Sequence, residues 1–158
     1  MIEIYTDGAA RGNPGKGGYG VILRLGQHYK EISEGFRLTT NNRMELLACI
    51  IGLEAIKKDG QNITIFSDSK YVVDSVEKSW LFSWLKKPDF AKKKNKDLWL
   101  RFYASYKKHQ IKFTWIKGHN EHKENERCDF LATTAADSNN LLVDIGYESE
   151  INSKQNLF

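Results

Sequence analysis

Asp7, Glu45, Asp68 and Asp129 each stand where a hydrophobic strand-like or helix-like run meets a turn. An isolated carboxylate in such a place costs several kcal/mol to desolvate, so four of them in this setting imply a cation that gathers them. Oxygen donors suit magnesium or manganese, whereas zinc more often recruits histidine or cysteine. Two such ions about 4 Å apart can activate water and stabilise a leaving oxygen, which makes phosphodiester hydrolysis the natural chemistry. Taken singly, each acid reads better as a helix cap or a solvated end. Their four contexts together reverse that preference.

The elements that must carry these acids can be read from hydrophobic periodicity. Ile2 to Asp7 alternates as a first strand, glycine-rich residues 8 to 18 read as a turn, and Tyr19 to Leu25 and Tyr29 to Phe36 read as further strands of an antiparallel meander. A helix over Asn41 to Lys58 carries Met44, Leu46, Leu47, Ile50, Ile51, Leu53 and Ile56, so few of its positions are left for water. Thr40 or Asn41 can cap it, and Glu45 then falls in its early turns, where free backbone amides favour a negative side chain. The apolar run Ile63 to Phe66 reads as a crossover strand, and a second helix begins near Ser69. Leu98, Trp99, Phe102, Tyr103 and Tyr106 make the stripe of a later helix, followed by a strand over Ile111 to Ile116. The last helix has Cys128, Leu131, Ala132, Ala135 and Ala136 at helical spacing, with Asp129 on the flank of that stripe. Leu141 to Ile145 is expected to pack back on the body, and the polar end from Asn152 to Phe158 to fray. Asp7 and Asp68 both close strand-like runs, and the carboxyl ends of neighbouring strands in an α/β sheet commonly line an active crevice.

The 158 residues fit one domain with a real core. Met1 is followed directly by Ile-Glu-Ile-Tyr-Thr-Asp, without a signal-peptide pattern or membrane span, so the cytoplasm is the expected location. Cys49 and Cys128 lie in apolar helical patterns and read as buried thiols. The net charge is +4, yet residues 78 to 96 carry seven lysines against Asp89 alone, a local +6 that leaves the rest of the chain at −2. A mildly acidic body with one basic arm is built to engage a polyanion. In that arm Trp80, Phe82, Trp84 and Phe90, with Trp99 just beyond it, interleave with Lys86, Lys87, Lys92, Lys93, Lys94 and Lys96. Trp99 reads as core, and Trp84 is divided between packing and contact with a sugar backbone. Gly12 to Gly18 lacks the spacing of a nucleotide-binding P-loop; its glycines instead permit a tight turn and close approach of a nucleic-acid backbone, with Asn13, Asn41 and Asn42 able to donate and accept around grooves or sugars. His119, in a polar loop after Gly118, suits proton transfer or product handling. No long heptad or unexplained apolar helical face calls for a protein partner, so a monomer is expected.

Four stretches then meet a known family. Tyr5-Thr-Asp-Gly-Ala-Ala-Arg-Gly-Asn-Pro-Gly-Lys-Gly-Gly-Tyr-Gly20 resembles the opening motif of type 1 ribonuclease H. The likeness continues through Thr39-Thr-Asn-Asn-Arg-Met-Glu-Leu46, Ser67-Asp-Ser-Lys-Tyr71 and Trp115-Ile-Lys-Gly-His-Asn-Glu-His-Lys-Glu-Asn-Glu-Arg-Cys-Asp129. The resemblance implies an α/β ribonuclease H-like fold, a five-stranded mixed sheet with helices on both faces. It implies a catalytic domain over residues 1–147, with the basic protrusion at about 78–96, and a polar tail over 148–158. It further implies that Asp7, Glu45, Asp68 and Asp129 bind two magnesium ions, with manganese a substitute, and cut the RNA strand of an RNA–DNA hybrid to leave 5′-phosphate and 3′-hydroxyl ends. His119 matches the family's catalytic-loop histidine. Asn13, Asn41 and Asn42 would touch the hybrid near the centre, reading 2′-hydroxyls and duplex shape rather than base sequence. Trp84, Lys86, Lys87, Lys92, Lys93 and Lys94 would grip it from the protrusion. Two departures stand out: Lys86-Lys-Pro-Asp-Phe-Ala-Lys92 lacks the common glycine-tryptophan turn, and Ala10 stands where many relatives carry cysteine or serine. The alternatives are a non-hydrolytic nucleic-acid-binding domain and a resolvase- or integrase-like DNA nuclease of the same broad fold.

Overall fold

The structure is a computed structural model and describes residues 1 to 117 and 122 to 156, without the side chain of residue 91. Strands β1 (Ile2–Ala10), β2 (Gly15–Leu25) and β3 (His28–Thr39) form an antiparallel meander. Helix α1 (Asn41–Glu54) then crosses to β4 (Asn62–Ser67), which lies parallel to β1. Helices α2 (Lys70–Glu77) and α3 (Trp80–Leu85), a 3-10 turn (Pro88–Lys92) and α4 (Lys96–Tyr106) lead to β5 (Gln110–Trp115), parallel to β4. Helix α5 (Lys123–Ala136), β6 (Leu141–Leu142) and α6 (Ile145–Gln155) complete the chain, and the sheet order is β5-β4-β1-β2-β3-β6.

The expected mixed α/β sheet is present, but it has six strands rather than five. The sixth is a two-residue strand in which Leu141 and Leu142 pair in parallel with Gly35 and Phe36 on the outer edge of β3. Two residues carry no alternation to read, so in the sequence this strand is only an apolar stretch packing back on the body. Helix α6 is a second addition, since apolar periodicity makes α5 the last helix. It runs to Gln155, into the segment expected to fray, and is capped at its start by Asp144, whose carboxylate accepts from the Tyr147 amide at 3.2 Å. Its anchor is polar, which is why no apolar period announces it.

Strand alternation assigns helices to both faces. Ile4 and Val21 point into the main core with α1 and α4, while Tyr5 and Ile22 pack with Cys128 of α5. At Gly20 the backbone of α5 lies so close that a Cβ would collide with the Cys128 carbonyl. This explains why the glycines expected in a turn extend the ladder instead: β1 continues to Ala10 and β2 begins at Gly15, with Ala10 opposite Gly17.

Helix α1 is buried along most of its length, as its composition requires, but it ends at Glu54 rather than near Lys58. Beyond Ile56 the chain is exposed and turns through Gly60 in the left-handed region, so continuing the helix would bury nothing further. Trp99 is fully buried, and Cys49 and Cys128 are free buried thiols, as expected. The basic segment is broken into short helical pieces, bounded by Ser79 and Asn95 with φ of 59° and 62°. No helix among the described residues is long and apolar enough to cross a membrane.

Candidate active site

The parallel register of β1 and β4 sets Tyr5 opposite Phe66, which carries Asp7 and Asp68 to the same level two residues further on. Glu45 reaches them from α1. That helix starts at Thr40, whose hydroxyl accepts from the Arg43 amide at 3.2 Å, so Glu45 is placed one turn in. Close approach is secured at Gly8, where any Cβ would collide with the backbone of Met44 and Glu45. The Gly8 amide donates to Asp7 Oδ1 and to Glu45 Oε1, both at 3.0 Å, and so ties the two acids to one backbone hydrogen. Asp129 comes from the opposite face on α5. The neighbouring Cys128 thiol donates to the Tyr5 carbonyl at 3.3 Å and pins that helix beside β1.

Three of the four predicted ligands form a tight group. Asp7, Glu45 and Asp68 each offer a carboxylate oxygen, and these oxygens lie within 4.8 Å of one another. Asp129 stands outside this group but close enough to act on Asp7 electrostatically. Asp7 and Glu45 are only 3% and 4% exposed, so their charges are poorly solvated. Burial pushes Asp7 up to about 8, the Asp68 charge adds to it, and Asp129 contributes further, while a hydrogen bond shared with Glu45 pulls the other way. Glu45 is likewise driven well above the usual carboxylate range by burial, then by Asp7 and Asp68. Its Oε2 atom is buried and has no hydrogen-bond partner among the described residues. Clustered hard oxygens, raised proton affinity and an orphaned acceptor are what a divalent cation would resolve at once, and the donor set fits such an ion.

The acids line a cleft of about 470 Å³ together with Asn41, Asn42, Ser69, Lys70 and Tyr71. Asn13 does not line it. Its Oδ1 instead accepts from the Asn41 amide at 3.2 Å, joining the β1–β2 turn to the start of α1. Asn13 and Asn42 share a second groove of about 290 Å³ with Lys94, Asn95, Tyr147 and Lys154, so Asn42 borders both depressions. Trp84, Lys87, Lys92 and Lys93 line a third, of about 270 Å³. There Trp84 packs, its ring meeting Trp99 edge-on at 6.0 Å, and Lys93 Nζ sits 3.7 Å from its centre. Lys86 is exposed and lines none of the three. His119 lies outside the described residues.

Sequence reasoning missed Arg43. Buried at 1% exposure, it donates Nε and Nη2 to the two Asp144 oxygens at 2.8 and 2.9 Å, and Nη1 and Nη2 to the two Asp97 oxygens at 2.9 and 2.7 Å. The Thr39 hydroxyl completes the shell of Asp144 at 2.7 Å. This cluster locks the acid-bearing helix α1 to the start of α4 and to the cap of α6. The available signal was a lone arginine inside an apolar helix; its partners, 54 and 101 residues away, had none.

Comparison with known proteins agrees with this geometry. The family model described as RNase H matches residues 1–137. Ribonuclease H of Syntrophus aciditrophicus is 51% identical over 151 residues, covering 93% of this chain and 87% of its own length. Ribonuclease H of Lachnoclostridium phytofermentans is 52% identical over 153 residues, covering 90% and 96%. Among solved structures, LC11-RNase H1 in complex with an RNA/DNA hybrid is similar with a TM-score of 0.68 and 27% identity, over 87% of this chain and 97% of that one.

Proposed function

The chain belongs to the RNase H family, and on that premise we propose how its residues divide the work of cutting an RNA–DNA hybrid. It is a metal-dependent ribonuclease H that hydrolyses the RNA strand of such hybrids. The observation that carries this reading is the set of three acid oxygens within 4.8 Å of one another, beside a buried Glu45 Oε2 with no hydrogen-bond partner among the described residues.

In the reading proposed, Asp7, Glu45, Asp68 and Asp129 hold two magnesium ions, for which manganese can substitute. Bound there, such ions supply the positive charge that activates a water and stabilises the departing ribose 3′-oxygen. The Gly8 amide keeps Asp7 and Glu45 aimed at one point, and the Cys128 bond keeps Asp129 beside them. Asn41 and Asn42 face the sugar edge of the cut strand from the first turn of α1, where amide side chains can both donate to and accept from a 2′-hydroxyl. Asn13 braces Asn41 and borders, with Lys94, the groove offered to the uncut strand. Lys86, Lys87, Lys92 and Lys93 grip phosphates at a distance, with Trp84 against the sugar backbone, which gives affinity without sequence preference. His119 moves a proton or helps the product leave. Products carry 5′-phosphate and 3′-hydroxyl ends. The catalytic domain is assigned to residues 1–147, and the protein works as a cytoplasmic monomer.

Labelled RNA–DNA hybrid, duplex DNA and duplex RNA, each with magnesium, with manganese and with chelator, test the reading. Metal-dependent loss of the RNA strand of the hybrid alone, with the stated ends, is the expected result. Exclusive cleavage of DNA, or binding without cleavage, would overturn it.

A further inference from the structure

Lys70 is the one basic side chain among the described residues that lines the carboxylate cleft. It is exposed and opens α2 directly after the Ser69 cap, two residues past Asp68. Its ammonium does not trail into solvent: Nζ lies 3.9 Å from the centre of the Trp115 ring, at the end of β5. The indole N–H of Trp115 in turn donates to the Asp68 carbonyl at 3.3 Å. One indole therefore braces the backbone of a candidate metal ligand with its edge and carries a cation on its face. Trp115 itself is 38% exposed, so the pair sits at the rim where a strand would enter.

Two bound divalent ions would offset the four carboxylates but not the phosphates flanking the cut, and at physiological salt a charge is felt over only about 8 Å. Lys87, Lys92, Lys93 and Lys94 of the basic segment line other depressions, and no lysine of that segment lines the cleft. A cation at the mouth of the cleft is placed to meet that phosphate charge locally. An ammonium has only donors, so the group it takes is an acceptor common to every nucleotide. We propose that Lys70 is a substrate-contacting residue that binds a non-bridging phosphate oxygen of the RNA strand next to the cut bond, with Trp115 as its positioning residue. Cation–π contact holds the ammonium out of the acid cluster, where it would compete with the metal, while leaving its hydrogens free. The assignment rests on the ribonuclease H reading above.

Steady-state cleavage of a hybrid over a series of potassium chloride concentrations, at fixed magnesium, tests it. Lys70→Gln should lower kcat/KM by roughly threefold to tenfold, mostly through KM. It should also flatten the dependence of log kcat/KM on log salt by the equivalent of one phosphate, a slope change of about 0.9. Lys70→Arg should retain the slope. Trp115→Leu should cost part of the same loss, and adding it to Lys70→Gln should cost less than it does alone. A Lys70→Gln enzyme with unchanged KM and slope overturns the proposal. So does a Lys70→Arg enzyme as impaired as the glutamine variant, or a Lys70→Gln chain that fails to fold, since each would make the residue structural. A wild-type chain that leaves the hybrid intact would instead sink the underlying reading.

Discussion

Replacing Asp7 by asparagine should remove activity and, in metal-free protein, raise stability. The Asp7 carboxyl is held up to about 8 from an ordinary 3.8, chiefly by burial and then by Asp68. An acid whose folded pKa is raised makes the folded state bind more protons than the unfolded chain between those two values, so stability falls as pH climbs through that window. The penalty is absent below about pH 4 and complete above about pH 8. At pH 7 the window already crossed is roughly 3 units, which at about 1.4 kcal/mol each sets a ceiling near 4 kcal/mol. Relaxation around the buried acid and its hydrogen bond with Glu45 take up part of this, and about 2 kcal/mol is expected, or about 4–8 °C in Tm. Asparagine keeps an oxygen for the Gly8 amide and carries no charge, so little is lost in exchange. Thermal melts of both proteins in chelator from pH 4 to pH 8 should diverge with rising pH. Saturating magnesium should reverse the order by stabilising the wild type far more than the variant. A variant less stable than wild type at pH 7 in chelator, or a gain undiminished at pH 4, would refute this account of the acid cluster.

Arg43→Ala should cost about 3–5 kcal/mol in denaturant unfolding, because it leaves Asp97 and the buried Asp144 without their bidentate partner; a loss below about 1 kcal/mol would mean that the cluster does not bind α1 to α4 and α6. Changing Lys86, Lys87 and Lys92 together to glutamine should raise the hybrid dissociation constant and flatten its salt dependence by up to about 0.9 for each phosphate left without its lysine, with melting temperature and metal binding unchanged. An unaltered salt slope would remove the basic segment from the interface.

Much of the site was legible in the sequence because local rules happened to place it. Asp7 and Asp68 are marked by the strands that precede them, Glu45 by a capped apolar helix, and Asp129 by its seat beside Cys128 on a helix stripe. Parallel pairing of β1 with β4 does the rest. What could not be read depends on partners distant in the chain. The Arg43 cluster joins residues 43, 97 and 144, and the sixth strand exists only because β3 offers a free edge to Leu141 and Leu142. Helix α6 follows from the same cause, since its cap Asp144 is fixed by Arg43 and Thr39 rather than by an apolar face of its own. The glycines misled in an instructive way: read as turn formers, several serve as gaps in strands through which α1 and α5 approach.

Gathering acids that repel one another and are starved of water destabilises the folded chain until a cation arrives, so the elements carrying them must be held by interactions that do not involve the acids. Each carrier has such a hold. Helix α1 is tied by the Arg43 cluster two residues before Glu45, and α5 by the Cys128 thiol one residue before Asp129. The Asp68 backbone is tied by the Trp115 indole, and β1 by ladders on both sides. The Arg43 and Cys128 supports lie within two residues of the acids they steady, whereas Trp115 reaches Asp68 across the sheet from β5. Substituting one of them should therefore displace a ligand without altering its charge, reducing metal affinity while leaving the number of carboxylates the same. Titration of magnesium into Cys128→Ala, followed by thermal stability, reads that displacement directly. An affinity equal to wild type would show that β1 and α5 hold Asp129 without the thiol.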